Sequence, residues 1–222
     1  MEIMATHFKL FFIGIFFLSF LSCRSQSTGS NASKKSKSFL MDTTFVNLKD
    51  YSNDFVYDMK YATADNFLKK QVYDCASCFL RLKTVQALLK ANEQFIKKGY
   101  KIKLYDCYRP LDIQKKMWAI ISNPKYVANP SKGSIHNRGG AVDITLIKTN
   151  GTELDMGTAF DHFGDEASHN YKGVSKQVRK NRYLLKKIMI NSGFNSFDSE
   201  WWHYNLKAGL NDKLSNAKWD CN

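Results

Sequence analysis

Apolar residues recur along this chain with two periods, and the change from one to the other marks out its elements. Between Phe79 and Gly99, Leu82, Val85, Leu88, Leu89, Phe95 and Ile96 fall mostly on one helical face with lysines between them. That is the spacing of an amphipathic helix, and Gly99 stops it. Tyr100–Tyr105 then alternates as a strand, and Pro110 bounds a second helix from Leu111 to Ile121. A third helix is predicted from a Ser175 cap to Ser192, ending at Gly193, with Val178, Leu185, Ile188 and Met189 inward and Lys and Arg outward. Thr44–Leu48, Phe55–Tyr57 and Glu200–Leu206 read as further strands, and Ala141–Ile147 alternates like a half-buried one. Helices and short strands interleaved without a strand–helix–strand rhythm imply an α+β domain with a small central antiparallel sheet flanked by helices.

The N-terminal stretch breaks this pattern. Leu10–Leu21 is a run of twelve mostly apolar residues followed by Ser22-Cys23, which suits a secretory signal over residues 1–22 and is too short to span a bilayer. An uncleaved membrane anchor is the competing reading. Cys23 looks like the acylated cysteine of a bacterial lipoprotein, although Phe20 stands where Leu is usual; acyl chains there would tether the protein to a membrane. Residues 23–41 are rich in Ser and Lys, lack a periodic apolar face and read as a disordered tether. Residues 42–222 are then one domain, exported to the periplasm and held at a membrane. Net charge is +13; Glu2 and Lys9 cancel, Arg24, Lys34, Lys35 and Lys37 supply four, and +9 remains on the domain. Such a charge favours acidic wall polymers or anionic lipid, and export without a nucleic-acid-binding module argues against nucleic acid.

Candidate chemistry gathers in Lys132–Leu146, KGSIHNRGGAVDITL. His136 and Asp143 flank Gly139-Gly140, which disfavours a helix, so the pair should sit on a turn and the strand leaving it. Glu200-Trp201-Trp202-His203 offers a second imidazole with a carboxylate three residues before it. Two histidines and an aspartate make a three-ligand zinc set with the fourth position open for water, and Glu200 is spare to take a proton from it. Spacing raises one difficulty: in a flat strand Glu200 and His203 point to opposite faces, so a bend or bulge near Trp201-Trp202 is required. A lone histidine beside glycines is more often structural than a ligand. His162 and His169, in the loop-like Phe160–Asn170, lack a paired motif and are expected at the surface or the substrate rim, not as metal ligands.

Ser134-x-His136-x-x-Gly139-x-Ala141-x-Asp143 followed by Glu200-x-Trp202-His203 resembles the signature of the zinc D-alanyl-D-alanine dipeptidases of the VanX type. That family is grouped with D-Ala-D-Ala carboxypeptidases and Hedgehog-like metallopeptidases. The likeness extends to Tyr61-Ala62-Thr63 with Asn66-Phe67, to Cys78-Phe79-Leu80-Arg81, to Asp106-x-Tyr108-Arg109-Pro110 with Gln114, and to Asp155-Met156-Gly157-Thr158 with Phe160-Asp161. It implies a Hedgehog/DD-peptidase-like fold, one Zn2+ per chain, and hydrolysis of the D-Ala-D-Ala dipeptide in cell-wall peptide turnover. Glu200 would be the base and Arg109 the guanidinium that meets the oxyanion; Ser134, Asp155 and Asp161 are implied near the substrate, the aspartates as partners of its ammonium or, equally, as turn residues. Two other functions stay open. A D,D- or L,D-carboxypeptidase or endopeptidase on peptidoglycan stem peptides would use the same metal set; a non-catalytic module of the Hedgehog branch would have lost part of it.

Cys75, Cys78, Cys107 and Cys221 remain, enough for two disulfides in an oxidising compartment. Cys75-x-x-Cys78 lacks the context of a thioredoxin or zinc-knuckle motif. A bond from Cys107 to one of that pair would brace the strand end carrying Arg109, and the sequence does not select it.

Overall fold

The structure, a computed structural model, describes residues 41–221. The signal, Cys23 and nearly all of the tether therefore lie outside the described residues. Among the described residues no helix is long and apolar enough to cross a membrane.

Among the described residues seven strands and three α-helices form: β1 (Phe45–Asn47), β2 (Val56–Tyr57), β3 (Phe79–Arg81), α1 (Leu82–Ile96), β4 (Tyr100–Asp106), α2 (Leu111–Ile120), β5 (Ala141–Lys148), α3 (Lys176–Asn191), β6 (Phe194–Phe197) and β7 (Glu200–Leu206). The class is α+β, with five strands in the order β2-β4-β5-β7-β6 and a separate β1–β3 pair. β4, β5, β7 and β6 pair antiparallel, while the two-residue β2 lies parallel to β4, so the sheet is mixed at one edge. Helix α1 starts later than its apolar spacing suggests because Phe79–Arg81 is hydrogen-bonded to β1 as a strand. Ser175 caps α3 by accepting the Val178 N–H at 3.1 Å.

β5 is the strand that organises the rest. Ala141–Ile147 is buried along its whole length, not on alternate residues. Val142, Ile144 and Leu146 pack into the main core with Val85, Leu88 and Phe95 of α1 and Leu185 and Met189 of α3. The intervening residues face the other way, and Asp143 and Thr145 are the polar ones among them. Both are nonetheless buried, Asp143 at 4% and Thr145 at 2% exposure.

Candidate metal centre

Strand register brings the centre together. Asp106 of β4 lies opposite Asp143 of β5, and Asp143 lies opposite His203 of β7, so three polar side chains form one row across adjacent strands. The β6–β7 register jumps between Phe197↔Glu200 and Ser196↔Tyr204. Trp201, Trp202 and His203 are the extra residues, and this bulge brings Glu200 to the same side as His203. Its Oε2 lies 4.0 Å from His203 Nδ1.

His136 arrives from a 3₁₀ turn, His136–Arg138, that ends on Gly139. Gly139 has φ +71°, and a Cβ there would sit 2.4 Å from Phe45 Cε1; only glycine fits that position. The histidine's Nδ1 is 2.7 Å from the Cys107 carbonyl, so it donates there and turns an unprotonated Nε2 inward. His203 is fixed in the opposite sense: Nε2 is 2.9 Å from Asn205 Oδ1 and Nδ1 is 2.9 Å from Asp143 Oδ1. Two imidazole lone pairs and a carboxylate therefore converge, with His136 Nε2 3.3 Å from both His203 Nδ1 and Asp143 Oδ2.

A cation between those atoms would satisfy all three. Each histidine gives its ring proton to a carbonyl or amide oxygen on its far side, leaving three acceptors face to face. A tetrahedral zinc with bonds of about 2.0–2.1 Å separates nitrogen ligands by about 3.3 Å. His136, Asp143 and His203 are also the one group of three or more metal-ligating side chains among the described residues whose atoms come close enough to share an ion. The residues present fit zinc.

The charges follow from burial and neighbours. For Asp143, burial opposes ionisation, but His136 and His203 outweigh it and hold the carboxyl below the ordinary range. Burial raises Glu200, with His203 pulling the other way; a carboxylate whose proton affinity is raised in this way suits a proton acceptor and donor. Burial also lifts Asp161 well above the usual value, Asp143 adding to it.

Arg109 lines the same cavity of about 580 Å³, with Tyr61, Ser134, Asp161, Glu200 and Trp202. Its Nη1 donates to Gln114 Oε1 at 2.9 Å and its Nη2 to the buried Asp106 carboxylate. Burial works against the charge, and Asp106, Tyr73 and Tyr61 more than restore it. Two of its five N–H donors are thus engaged, one on each Nη, while Nε is buried without a hydrogen-bond partner. Asp161 accepts from Tyr61 Oη at 2.9 Å and holds a left-handed backbone at φ +58°, a conformation costly outside glycine and typical of functional positions.

Not every expected site residue is here. Asp155 corrects the expectation made for it: its exposed carboxylate accepts the Gly157 N–H at 2.8 Å and lines no part of the metal cavity, which is the turn-forming role. His162 stands at the surface 3.1 Å from Glu166, and His169 lies beside Tyr204; neither reaches the metal atoms. Trp202 walls the cavity, whereas Trp201 points away and donates to Thr158 Oγ1 at 2.8 Å. Asn205 and Asn137 escape the sequence reading, and Tyr61 enters it only as part of the family likeness with no role attached, because an amide or hydroxyl that aims another side chain leaves no spacing signal.

Both disulfides form: Cys78–Cys107 and Cys75–Cys221. The first anchors the residue whose carbonyl orients His136.

A family profile described as D-ala-D-ala dipeptidase matches residues 41–220. The D-alanyl-D-alanine dipeptidase of Escherichia coli (strain K12) is 35% identical over 183 residues, 82% of this chain and 95% of that protein. The dipeptidase of the same description from Enterococcus faecium is 35% identical over 188 residues, 75% of this chain and 93% of its own. Among solved structures, the LdcB LD-carboxypeptidase aligns at TM-score 0.39 and 20% identity, over 59% of this chain and 62% of that one. The D,D-pentapeptidase VanY in complex with Zn(II) aligns at TM-score 0.37 and 16% identity, over 58% and 73%.

Proposed function

The chain belongs to the D-Ala-D-Ala dipeptidase family, and we propose from that premise that it hydrolyses D-alanyl-D-alanine to two molecules of D-alanine with one zinc ion per chain. The observation that carries this is the convergence of ligand atoms from His136, Asp143 and His203, all within 4.8 Å of one another, beside the Glu200 carboxylate.

Zinc held by these three would polarise the scissile carbonyl and acidify a water molecule. Glu200 takes one proton from the attacking water and later delivers a proton to the amine nitrogen as the C–N bond breaks. Arg109 aims its free N–H groups at the carbonyl oxygen as it turns negative, an interaction stronger in the transition state than before it. Asp161, oriented by Tyr61, accepts the substrate's ammonium, whose positive charge would offset the burial that raises this carboxyl. Ser134, in the lining of the same cavity, is a hydroxyl donor for the terminal carboxylate. Trp202 and Tyr61 keep bulk water out, strengthening each of these charge contacts.

The setting we propose is outside the inner membrane, in turnover of wall peptides. Two disulfides support export, since such bonds persist in oxidising compartments, and acylation of Cys23 would hold the domain near its substrate.

Release of D-alanine from D-Ala-D-Ala, measured with and without chelator beside metal analysis, tests the reaction. The expected result is one zinc per chain and activity that vanishes on stripping. Equal turnover by stripped protein removes the proposal, and faster cleavage of a D-Ala-D-Ala-terminated pentapeptide than of the dipeptide replaces it with a carboxypeptidase.

A further inference from the structure

The chain does not leave the domain after β7. Residues 213–221 run back over the start of α2 and the turn that carries His136, although none of them lines the metal cavity. We propose that this C-terminal strap, closed by the Cys75–Cys221 bond, is a positioning device for Arg109; the proposal rests on the dipeptidase reading and extends it.

Two separate routes lead from the strap to the guanidinium. Along the first, the Ser215 N–H donates to the Asn137 carbonyl at 2.8 Å. Asn137 is fully buried; its Nδ2 donates to the Arg109 carbonyl at 2.8 Å and its Oδ1 accepts the Ser134 N–H at 2.7 Å. The Arg109 N–H closes the ring on the His136 carbonyl at 3.1 Å. One strap amide thus bears on the backbone of Arg109, Ser134 and His136 together.

The second route passes through α2. Pro110, at the cap position of that helix, has no side chain to satisfy the first N–H groups. The strap supplies the missing acceptors: Ser215 O takes the Leu111 N–H at 3.1 Å and Asn216 Oδ1 the Asp112 N–H at 2.9 Å. Asn216 Nδ2 in turn donates to Asp112 Oδ2 at 2.7 Å. One turn into α2, Gln114 grips Arg109 Nη1. A cap from outside the helix therefore sets the residue that aims the guanidinium.

The far end of the strap is fastened rather than buried. Trp219 stacks on Phe79 at 4.8 Å and donates to Cys75 Sγ, and Tyr108 Oη donates to the Ala217 carbonyl at 3.1 Å. Most residues from 211 to 221 keep partial or full solvent exposure, so apolar burial alone would leave them to fray. The Cys75–Cys221 bond, joining residues 146 apart in sequence, denies that freedom.

The test uses zinc-loaded full-length protein with Cys75→Ser and Cys221→Ser together, which leaves Cys78–Cys107 intact. The expected result is a kcat for D-Ala-D-Ala about tenfold lower, with KM and zinc content within about twofold of wild type, since small misplacements of a transition-state group cost rate before affinity. Amide hydrogen exchange at Arg109 and Asn137 should quicken about tenfold. Asn216→Ala keeps the disulfide and removes only the cap; about a threefold loss of kcat is expected there. Unchanged kcat and unchanged exchange in both variants would overturn the proposal. So would loss of zinc in step with kcat, because that means collapse of the site, not misaiming of Arg109. A wild type unable to cleave the dipeptide sinks the dipeptidase reading instead, and the exchange rates at Arg109 and Asn137 still decide the strap.

Discussion

The row Asp106–Asp143–His203 and the loop 154–170 both carry titratable groups close to the cavity, yet the two regions fix their side chains by opposite means. In the row, backbone pairing across β4, β5 and β7 sets which way each residue faces, and neighbouring groups hold each carboxylate and ring. In the loop, direction is decided residue by residue: Asp161 turns in through a left-handed backbone, Asp155 folds onto Gly157, His162 reaches Glu166 at the surface, and His169 packs on Tyr204. Pairing makes a site robust and loop geometry makes it specific.

The contrast breaks first at the metal. Chelation, or His136→Ala, should abolish hydrolysis, and zinc should restore the chelated wild type but not the variant; a coupled D-alanine assay reads both. Next, Glu200→Gln should lower kcat by about a thousandfold while zinc content, measured by atomic absorption, is retained. Arg109→Lys keeps the charge and loses the planar fork, so kcat should fall about a hundredfold with little change in KM. The two loop aspartates sharpen the contrast: Asp161→Asn should raise KM about tenfold, whereas Asp155→Asn should leave both constants within about twofold. Equal effects from the two aspartates would show that the loop does not discriminate between them.

The smallest effect is one of stability. Burial, then Asp143, raises the folded-state pKa of Asp161 well above its unfolded value. Its carboxyl therefore ionises more readily in the unfolded chain, and folding loses stability as pH climbs above the usual carboxylate range. Asparagine removes that loss. Metal-free Asp161→Asn should melt a few degrees above metal-free wild type at neutral pH by calorimetry, the gap closing below about pH 4. A lower melting point at neutral pH contradicts the assignment.

What the sequence reveals tracks the same division. His136, Asp143, Glu200 and His203 stand in a spaced pattern, and the odd spacing of Glu200 and His203 demanded the β7 bulge that is present. Helices α1 to α3 follow from apolar periodicity to within a few residues, except where Phe79–Arg81 joins β1. Alternation misjudged β5, because cover on its second face comes from segments remote in the chain. The β6 strand, Phe194–Phe197, was missed for want of a run long enough to show a period. Asn137 and Ser215, Asn216 and Asp112, and Asp161 and Tyr61 meet across about a hundred residues or fewer, and nothing local announces such encounters.

Asp143 and His203 come from neighbouring strands as direct partners. A slip of one residue between β5 and β7 would turn His203 toward the helices and offer Trp202 or Tyr204 to the ion instead. An ion bound there acts as a gauge of correct assembly, because only the in-register sheet can grip it. Folding in the presence of zinc should accordingly give a narrower population than folding without it, and β7 with the edge strand β6 should be the first part of the sheet to loosen when the ion is withdrawn.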